Sequence, residues 1–178
     1  MVIYFLRHAN AGQKHFSNPA KDEKRPLDKV GEEQSHDVGR ALAAIGVTVN
    51  VFISSPLTRA VQTANIVSQE LGHEEKTVLD DALRPEATFE QFKVLFNRYK
   101  DKPSIMVVGH DPSMTEFVNR ILSGGRPMAA IEMKKAGVAK VEIELRRPAV
   151  LRWCMPPKVV QKIQRSSAKR SRPKMDLK

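Results

Sequence analysis

The sequence contains one cysteine, Cys154, among its 178 residues, so no disulfide bond can form within the chain. Such low cysteine use is typical of a reducing compartment. No run of about 18 apolar residues is present, and the first residues lack the basic and apolar regions of a signal peptide. We therefore expect a cytoplasmic protein without a membrane span.

Positive charge is concentrated near the end of the chain. The net charge is +10, and residues 158–178 hold eight lysines and arginines against one aspartate. The preceding 157 residues keep a charge of only +3. We predict one domain over residues 1–157, followed by a basic C-terminal tail over residues 158–178.

Two interpretations of this tail remain open. Its composition is typical of a disordered, solvated extension. Alternatively, it docks electrostatically on an acidic partner, an anionic membrane surface or nucleic acid. It contains no aromatic residue that could stack on bases, which argues against nucleic acid. Val159, Val160 and Ile163 are spaced to form one helical turn packed against the domain.

Three segments repeat the same pattern of a β-branched run, a small or polar turn and then a helix signal. They read "VIYFLRHANAG", "VNVFISSPLTRAVQTANIV" and "KPSIMVVGHDPSMTEFVNRIL". Later apolar runs, "GVAKVEIEL" and "AVLRW", alternate as antiparallel edge strands do. Alternating strands and helices indicate an α/β layered domain with a mainly parallel central sheet.

Local signals predict where several helices begin and end. Ser55 and Asp111 are expected to cap the helices after the second and third strands, each followed by a proline at the first helical position. Thr88 begins a Thr-x-x-Gln capping box ahead of another helix. The segment "GEEQSHDVGRALAAIG" predicts a further helix that ends at Gly46.

Cationic side chains and imidazoles follow the strands at the points where the strands end. Arg7 and His8 end the first strand, and His110 ends the third. Arg59 lies in the first turn of the helix after the second strand. Because ligands of α/β sheets bind beyond the carboxyl ends of the strands, we expect these four side chains to converge there without an acidic cluster.

Such a set suits phosphoryl transfer. Guanidinium groups bind phosphoryl oxygens through paired hydrogen bonds and stay charged at any accessible pH. A cation in the first helical turn, as at Arg59, opposes the helix dipole, and a bound anion would remove that conflict. A neutral imidazole can attack phosphorus while arginines stabilise the transferred group. No metal-ligand spacing is visible, so we expect neither a metal nor another cofactor.

The motifs resemble those of the histidine phosphatase superfamily. "FLRHANAG" is similar to its Arg-His-Gly signature, with Ala9 in place of glycine, and "SSPLTRAVQTA" and "VVGHDP" are similar to its second arginine and second histidine segments. The match in order and spacing extends over roughly residues 1–155. Within the superfamily, "KRPLDKVGEEQ" and "LRWCMPP" most resemble the SixA-type phosphohistidine phosphatases.

The resemblance implies a fold and a set of residue roles. The fold would be a three-layer α/β/α sandwich of the phosphoglycerate mutase-like type. His8 would be the nucleophile that accepts the phosphoryl group, and Arg7 and Arg59 would clamp its oxygens. His110 would stabilise the transition state, and Arg25, in "RPLD", would add a substrate contact. Ala9 would be strained only if that position required a positive φ.

The leaving group narrows the substrate class. An alkoxide needs a proton donor to leave, and the candidates here are Glu86, in "LRPEAT", and Asp81. The imidazole of phosphohistidine is readily protonated near neutral pH and depends less on such an acid. We therefore expect a metal-independent phosphatase of signal transduction that acts on a phosphohistidine protein, such as a histidine phosphotransfer domain.

Two alternatives remain. The first is a phosphomonoesterase of the same superfamily that acts on small molecules, which would require Glu86 or Asp81 beside the leaving oxygen. The second is a non-catalytic phosphoprotein-binding module, in which His8 would never become phosphorylated and the basic tail would supply much of the contact.

Overall fold

A computed structural model describes residues 1–126, 130–144 and 146–162. Within these residues the chain forms six strands, five α-helices and one short 3₁₀ helix, and residues 157–162 are also helical. In chain order the elements are β1 (Val2–Arg7), α1 (Pro19–Glu23), α2 (Lys29–Ala44), β2 (Val51–Ser54), α3 (Thr58–Glu70), β3 (Val78–Leu79), the 3₁₀ helix (Asp81–Leu83), α4 (Phe89–Tyr99), β4 (Ser104–Gly109), α5 (Ser113–Leu122), β5 (Val138–Glu142) and β6 (Val150–Met155).

The six strands form one mixed sheet in the order β3-β2-β4-β1-β5-β6. The first four strands of that order run parallel to one another. At one side of the sheet, β5 pairs antiparallel with β1, and β6 pairs antiparallel with β5. This confirms the predicted mainly parallel sheet and the antiparallel edge. Because β2, β4 and β1 are adjacent and parallel, their carboxyl ends meet at one edge of the sheet.

Side chains of each central strand alternate between two apolar cores, one on either face of the sheet. On one face, Phe5 packs with Phe92 of α4 and Phe117 of α5. On the other face, Leu6 packs with residues of α2 and α3, among them Leu42. Helices therefore cover both faces, which confirms the three-layer α/β/α sandwich.

Two of the predicted helix caps are wrong. Helix α3 begins three residues after Ser55, and helix α5 begins after Pro112, and neither has a side-chain cap. The Ser55 hydroxyl instead contacts a histidine described below. The capping box of Thr88 is confirmed, and Gly46 has a positive φ just after α2 ends, as its role as a helix terminator requires.

The chain beyond β6 begins the predicted basic tail. Residues 157–162 are helical, and Val160 is fully buried against the core on the α2 and α3 face. Ile163 and the rest of the predicted tail lie outside the described residues. In the described part of the chain, no helix has both the length and the apolar character needed to span a bilayer.

Candidate active site

Two histidines follow adjacent parallel strands and face each other. His8 follows the last residue of β1, and His110 follows the last residue of β4. Arg7 pairs with Gly109 in the strand register, and the His8 amide donates to the Gly109 carbonyl at 2.9 Å. This pairing brings the two imidazole rings to a centroid separation of 4.9 Å, with their planes inclined by 55°.

A hydrogen bond to the backbone determines which nitrogen of the His8 ring carries the proton. The Nδ1 atom lies 2.7 Å from the carbonyl oxygen of Ala9. A carbonyl oxygen can only accept, so Nδ1 carries the proton and donates this bond. In the neutral ring, Nε2 therefore keeps its lone pair and is available as a nucleophile.

Burial keeps both rings neutral. His8 is 7% exposed and His110 is 2% exposed. Desolvation above all, together with the nearby guanidinium groups, lowers the pKa of His8 to about 3, although the bond to Ala9 acts in the opposite direction. Desolvation likewise lowers the pKa of His110 to about 2, assisted by His8 and the arginines. Both imidazoles are therefore neutral across the physiological pH range.

Ser55 orients the second histidine. Its hydroxyl oxygen lies 2.9 Å from Nε2 of His110. Nδ1 of His110 is buried and has no hydrogen-bond partner within the described residues. If the hydroxyl donates to Nε2, the single ring proton of His110 lies on Nδ1. Nδ1–H can then donate a hydrogen bond to a bound anion.

The two predicted phosphate-clamping arginines are held by backbone carbonyls. Arg7 donates to the Met133 carbonyl at 2.7 Å, and Arg59 donates to the Asp22 carbonyl at 2.9 Å. In each guanidinium the buried Nε–H has no partner in the described part of the chain. Buried donors are normally satisfied, so these groups have unused capacity for an anion.

Carboxylates accompany the arginines, contrary to the expectation that no acidic cluster would lie there. Asp22 accepts from Nε of Arg25 at 2.9 Å, and its other oxygen lies 3.5 Å from Arg59. Asp111 lies 3.6 Å from Arg7. Because they contact the arginines rather than the histidines, these carboxylates orient guanidinium groups without filling the space between the two rings.

Arg25 lies inside the site rather than in solvent. Its side chain is 10% exposed, and it also donates to the Gly12 carbonyl at 2.9 Å. Its charge is close enough to lower the pKa values of His8 and His110. Asp22, which connects Arg25 to Arg59, was missed by sequence reasoning, although it stands three residues before Arg25 in a segment that reads as an ordinary charged loop.

The turn after His8 is held in place by close backbone contacts. Ala9 is fully buried, does not adopt a positive φ and donates its amide to Thr63 Oγ1 at 3.1 Å, so it replaces glycine without strain. A Cβ on Gly31 would lie 1.8 Å from the Asn10 carbonyl oxygen. Helix α2 can therefore approach this turn only with a glycine there.

The candidate acids lie outside the histidine pair. Glu86 is exposed and lines a cleft of about 420 Å³ together with Pro112 and Ser113, which follow His110 in the chain. Asp81 is exposed and bonded to Arg84 at 2.6 Å. In the described ranges, no three His, Cys, Asp or Glu side chains are grouped so that they could hold a metal ion.

Comparison with known sequences matches residues 3–95 to the model of the histidine phosphatase superfamily (branch 1). An uncharacterized protein from Picosynechococcus is 31% identical over 141 residues, which cover 78% of this chain and 82% of that protein. The mouse mitochondrial serine/threonine-protein phosphatase PGAM5 is 34% identical over 88 residues, which cover 49% of this chain and 29% of PGAM5. The chain thus spans most of the first relative but under a third of the second.

Comparison with solved structures gives the same fold. The protein histidine phosphatase SixA, solved in complex with tungstate, matches with a TM-score of 0.77 at 21% identity. The match covers 89% of this chain and 98% of SixA. The phosphoglycerate mutase-like architecture is therefore present over nearly the whole of the described chain.

Proposed function

Because the chain belongs to the histidine phosphatase superfamily and is therefore a phosphatase, we propose that it hydrolyses phosphohistidine on a protein substrate through a phosphohistidine intermediate on His8. One observation carries this proposal: the neutral His8 ring has a free Nε2 beside His110 and within the electrostatic reach of three arginines. A neutral nucleophile surrounded by fixed positive charge is suited to attack a phosphoryl anion.

The reaction divides into two displacements at phosphorus. In the first, Nε2 of His8 forms a bond to phosphorus, and the bond from phosphorus to the substrate imidazole nitrogen breaks. That nitrogen leaves with a proton taken from solvent or from a nearby acid. In the second, water attacks the phosphoryl group on His8, the bond from Nε2 to phosphorus breaks, and inorganic phosphate leaves.

The remaining groups stabilise the transferred phosphoryl group. The unpartnered Nε–H donors of Arg7 and Arg59 would bind its equatorial oxygens, and Nδ1 of His110 would donate a further bond. Arg25 adds positive charge close to both rings, since it lowers the pKa values of His8 and His110. Preorganised donors of this kind typically contribute about 3 kcal/mol each to the transition state.

Two observations support a protein as the substrate: the names of similar proteins and the lack, within the described residues, of an added domain over the site. SixA is by name a protein histidine phosphatase, and PGAM5 is by name a protein phosphatase. The match to SixA covers nearly all of that chain, so the described part of this chain adds no large domain to the shared fold that could cover the site. An open site admits a side chain presented by another protein.

A second candidate function is hydrolysis of phosphomonoesters. The observation that favours it is Glu86, which lines the cleft beside Pro112 and Ser113 and could protonate an alkoxide leaving group there. An imidazole leaving group depends less on this acid. The two substrate classes therefore differ in how strongly their hydrolysis should need Glu86.

The test is a quench experiment with a labelled phosphodonor. We expect an acid-labile, base-stable adduct that maps to His8 and is absent in His8→Ala. The absence of any adduct in the wild-type protein would favour the binding-module alternative and would contradict the proposal. An adduct on another residue would also contradict it.

A substrate panel then separates the two enzyme functions. For a phosphohistidine protein we expect Glu86→Gln to leave kcat near the wild-type value. A fall of about a hundredfold, together with faster wild-type turnover of phosphomonoesters than of phosphohistidine, would favour the phosphomonoesterase instead. Glu90→Gln is the matched control, because Glu90 is also exposed and lines the same cleft.

A further inference from the structure

The segment that joins β1 to α2 exposes an aromatic side chain to solvent. We call residues 11–24 the docking segment. Phe16 in this segment is 84% exposed, the highest exposure among the large apolar side chains of the described residues. Its ring contacts the ammonium group of Lys14 at 4.8 Å from the ring centroid, and no residue of α1, which follows it, is buried.

Hydrogen bonds connect the docking segment to the candidate active site. The amide of His15 donates to Asp22 Oδ1 at 3.0 Å, one residue before Phe16. Asp22 in turn contacts Arg25 and accepts a bond from Arg59 through its backbone carbonyl. Phe16 therefore lies on a loop whose position is set by the same carboxylate that holds two of the site's guanidinium groups.

The exposed charge of the docking segment is positive. Its two acidic residues are already engaged, Asp22 by the site arginines and Glu23 by Arg84 at 2.8 Å. Lys21 and Lys24 are exposed, and neither forms an ion pair with a described residue. A partner placed over the docking segment would meet these exposed lysines together with the protruding ring of Phe16 and the ammonium group of Lys14 beside it.

We propose that the docking segment is the contact surface for the phosphorylated protein, and that it fits a partner with acidic side chains around an apolar patch beside its phosphorylated residue. This rests on the proposed function, since it assigns a recognition surface to the same site. An exposed aromatic ring is a typical anchor of a protein interface. Lysines at the rim steer an acidic partner towards it.

The test compares a protein substrate with a small one. A phosphorylated histidine phosphotransfer domain and free phosphohistidine are each assayed for kcat/KM with the wild type and with Phe16→Ala. Because the side chain is exposed, its truncation leaves the core intact. The matched control is Ile45→Ala, which removes a 56% exposed side chain near the amino ends of the strands, at the opposite edge of the sheet.

We expect Phe16→Ala to lower kcat/KM about tenfold on the phosphotransfer domain and to leave it unchanged on free phosphohistidine, with no effect of Ile45→Ala on either. We also expect Lys21→Ala combined with Lys24→Ala to weaken the dependence of the protein reaction on salt concentration. Lys100→Ala combined with Lys102→Ala, again at the opposite edge, should not change that dependence.

Other results would overturn the proposal. If Phe16→Ala lowers kcat/KM equally on both substrates, the ring supports the site itself. If kcat/KM on the phosphotransfer domain is unchanged, the ring makes no contact with that protein. In both cases a wild type active on phosphohistidine would leave the proposed function standing. A wild type that hydrolyses neither substrate would overturn the function together with the docking surface.

Discussion

Lowering the pH from 7 to 5 should destabilise this protein through His8 and His110. Both are neutral in the folded state because burial holds their pKa values near 3 and 2. In the unfolded chain their pKa is close to the ordinary value of about 6.5. Between these values the unfolded state binds more protons than the folded state, so the free energy of unfolding falls as the pH falls.

The size of the effect follows from this proton difference. Integrating proton uptake by an unfolded histidine from pH 7 to pH 5 gives a loss of about 2 kcal/mol per residue, or about 4 kcal/mol for both. The result depends on the unfolded-state pKa, since the folded-state values lie well below pH 5. A loss of this size is a large part of the stability of an ordinary domain.

The assay is urea unfolding at pH 7 and pH 5, with the wild type compared with His8→Gln/His110→Gln. We expect the pH-dependent loss in the variant to be smaller by about 4 kcal/mol. Equal pH dependence in the two proteins would refute the reasoning. Imidazole NMR of the wild type supplies a check that does not require the variant to fold: rings of His8 and His110 that become protonated above pH 5 would refute it directly.

Two substitutions around these histidines test the local geometry. Gly31→Ala should cost about 3 kcal/mol of stability in urea unfolding, because its Cβ would overlap the Asn10 carbonyl, whereas Gly12→Ala, with no atom within 4 Å of its Cβ, should change stability little. Ser55→Ala should lower kcat about tenfold and cost about 2 kcal/mol of stability, because the buried Nε2 of His110 loses its partner; an unchanged kcat would show that the hydroxyl does not orient the ring.

The order of strands and helices was predictable because its signals are local. Apolar runs mark β1, β2 and β4, and the amphipathic pattern after each run marks a helix. The two incorrect caps show where local reasoning fails. Ser55 has the residue type and position of a helix cap, but α3 begins only at Thr58. The Ser55 hydroxyl contacts His110 and does not cap the first amides of the helix.

The electrostatic arrangement of the site was only partly predictable. Asp22 stands in a stretch of mixed charges that is typical of a solvated loop, and no local pattern separates it from Glu23. Only the folded chain brings its carboxylate to Arg25 and Arg59. Phe16 likewise looks like one of several aromatic residues until the fold leaves it without a packing partner in the core.

By itself the sequence determined which chemical groups stand at the ends of β1 and β4 and at the start of α3, because strand ends and helix starts are specified by neighbouring residues. The tertiary structure decided the protonation of those groups. Whether an imidazole is neutral, and which of its nitrogens is free, depends on burial and on hydrogen bonds that form only when β1 and β4 pair and the surrounding loops close over them.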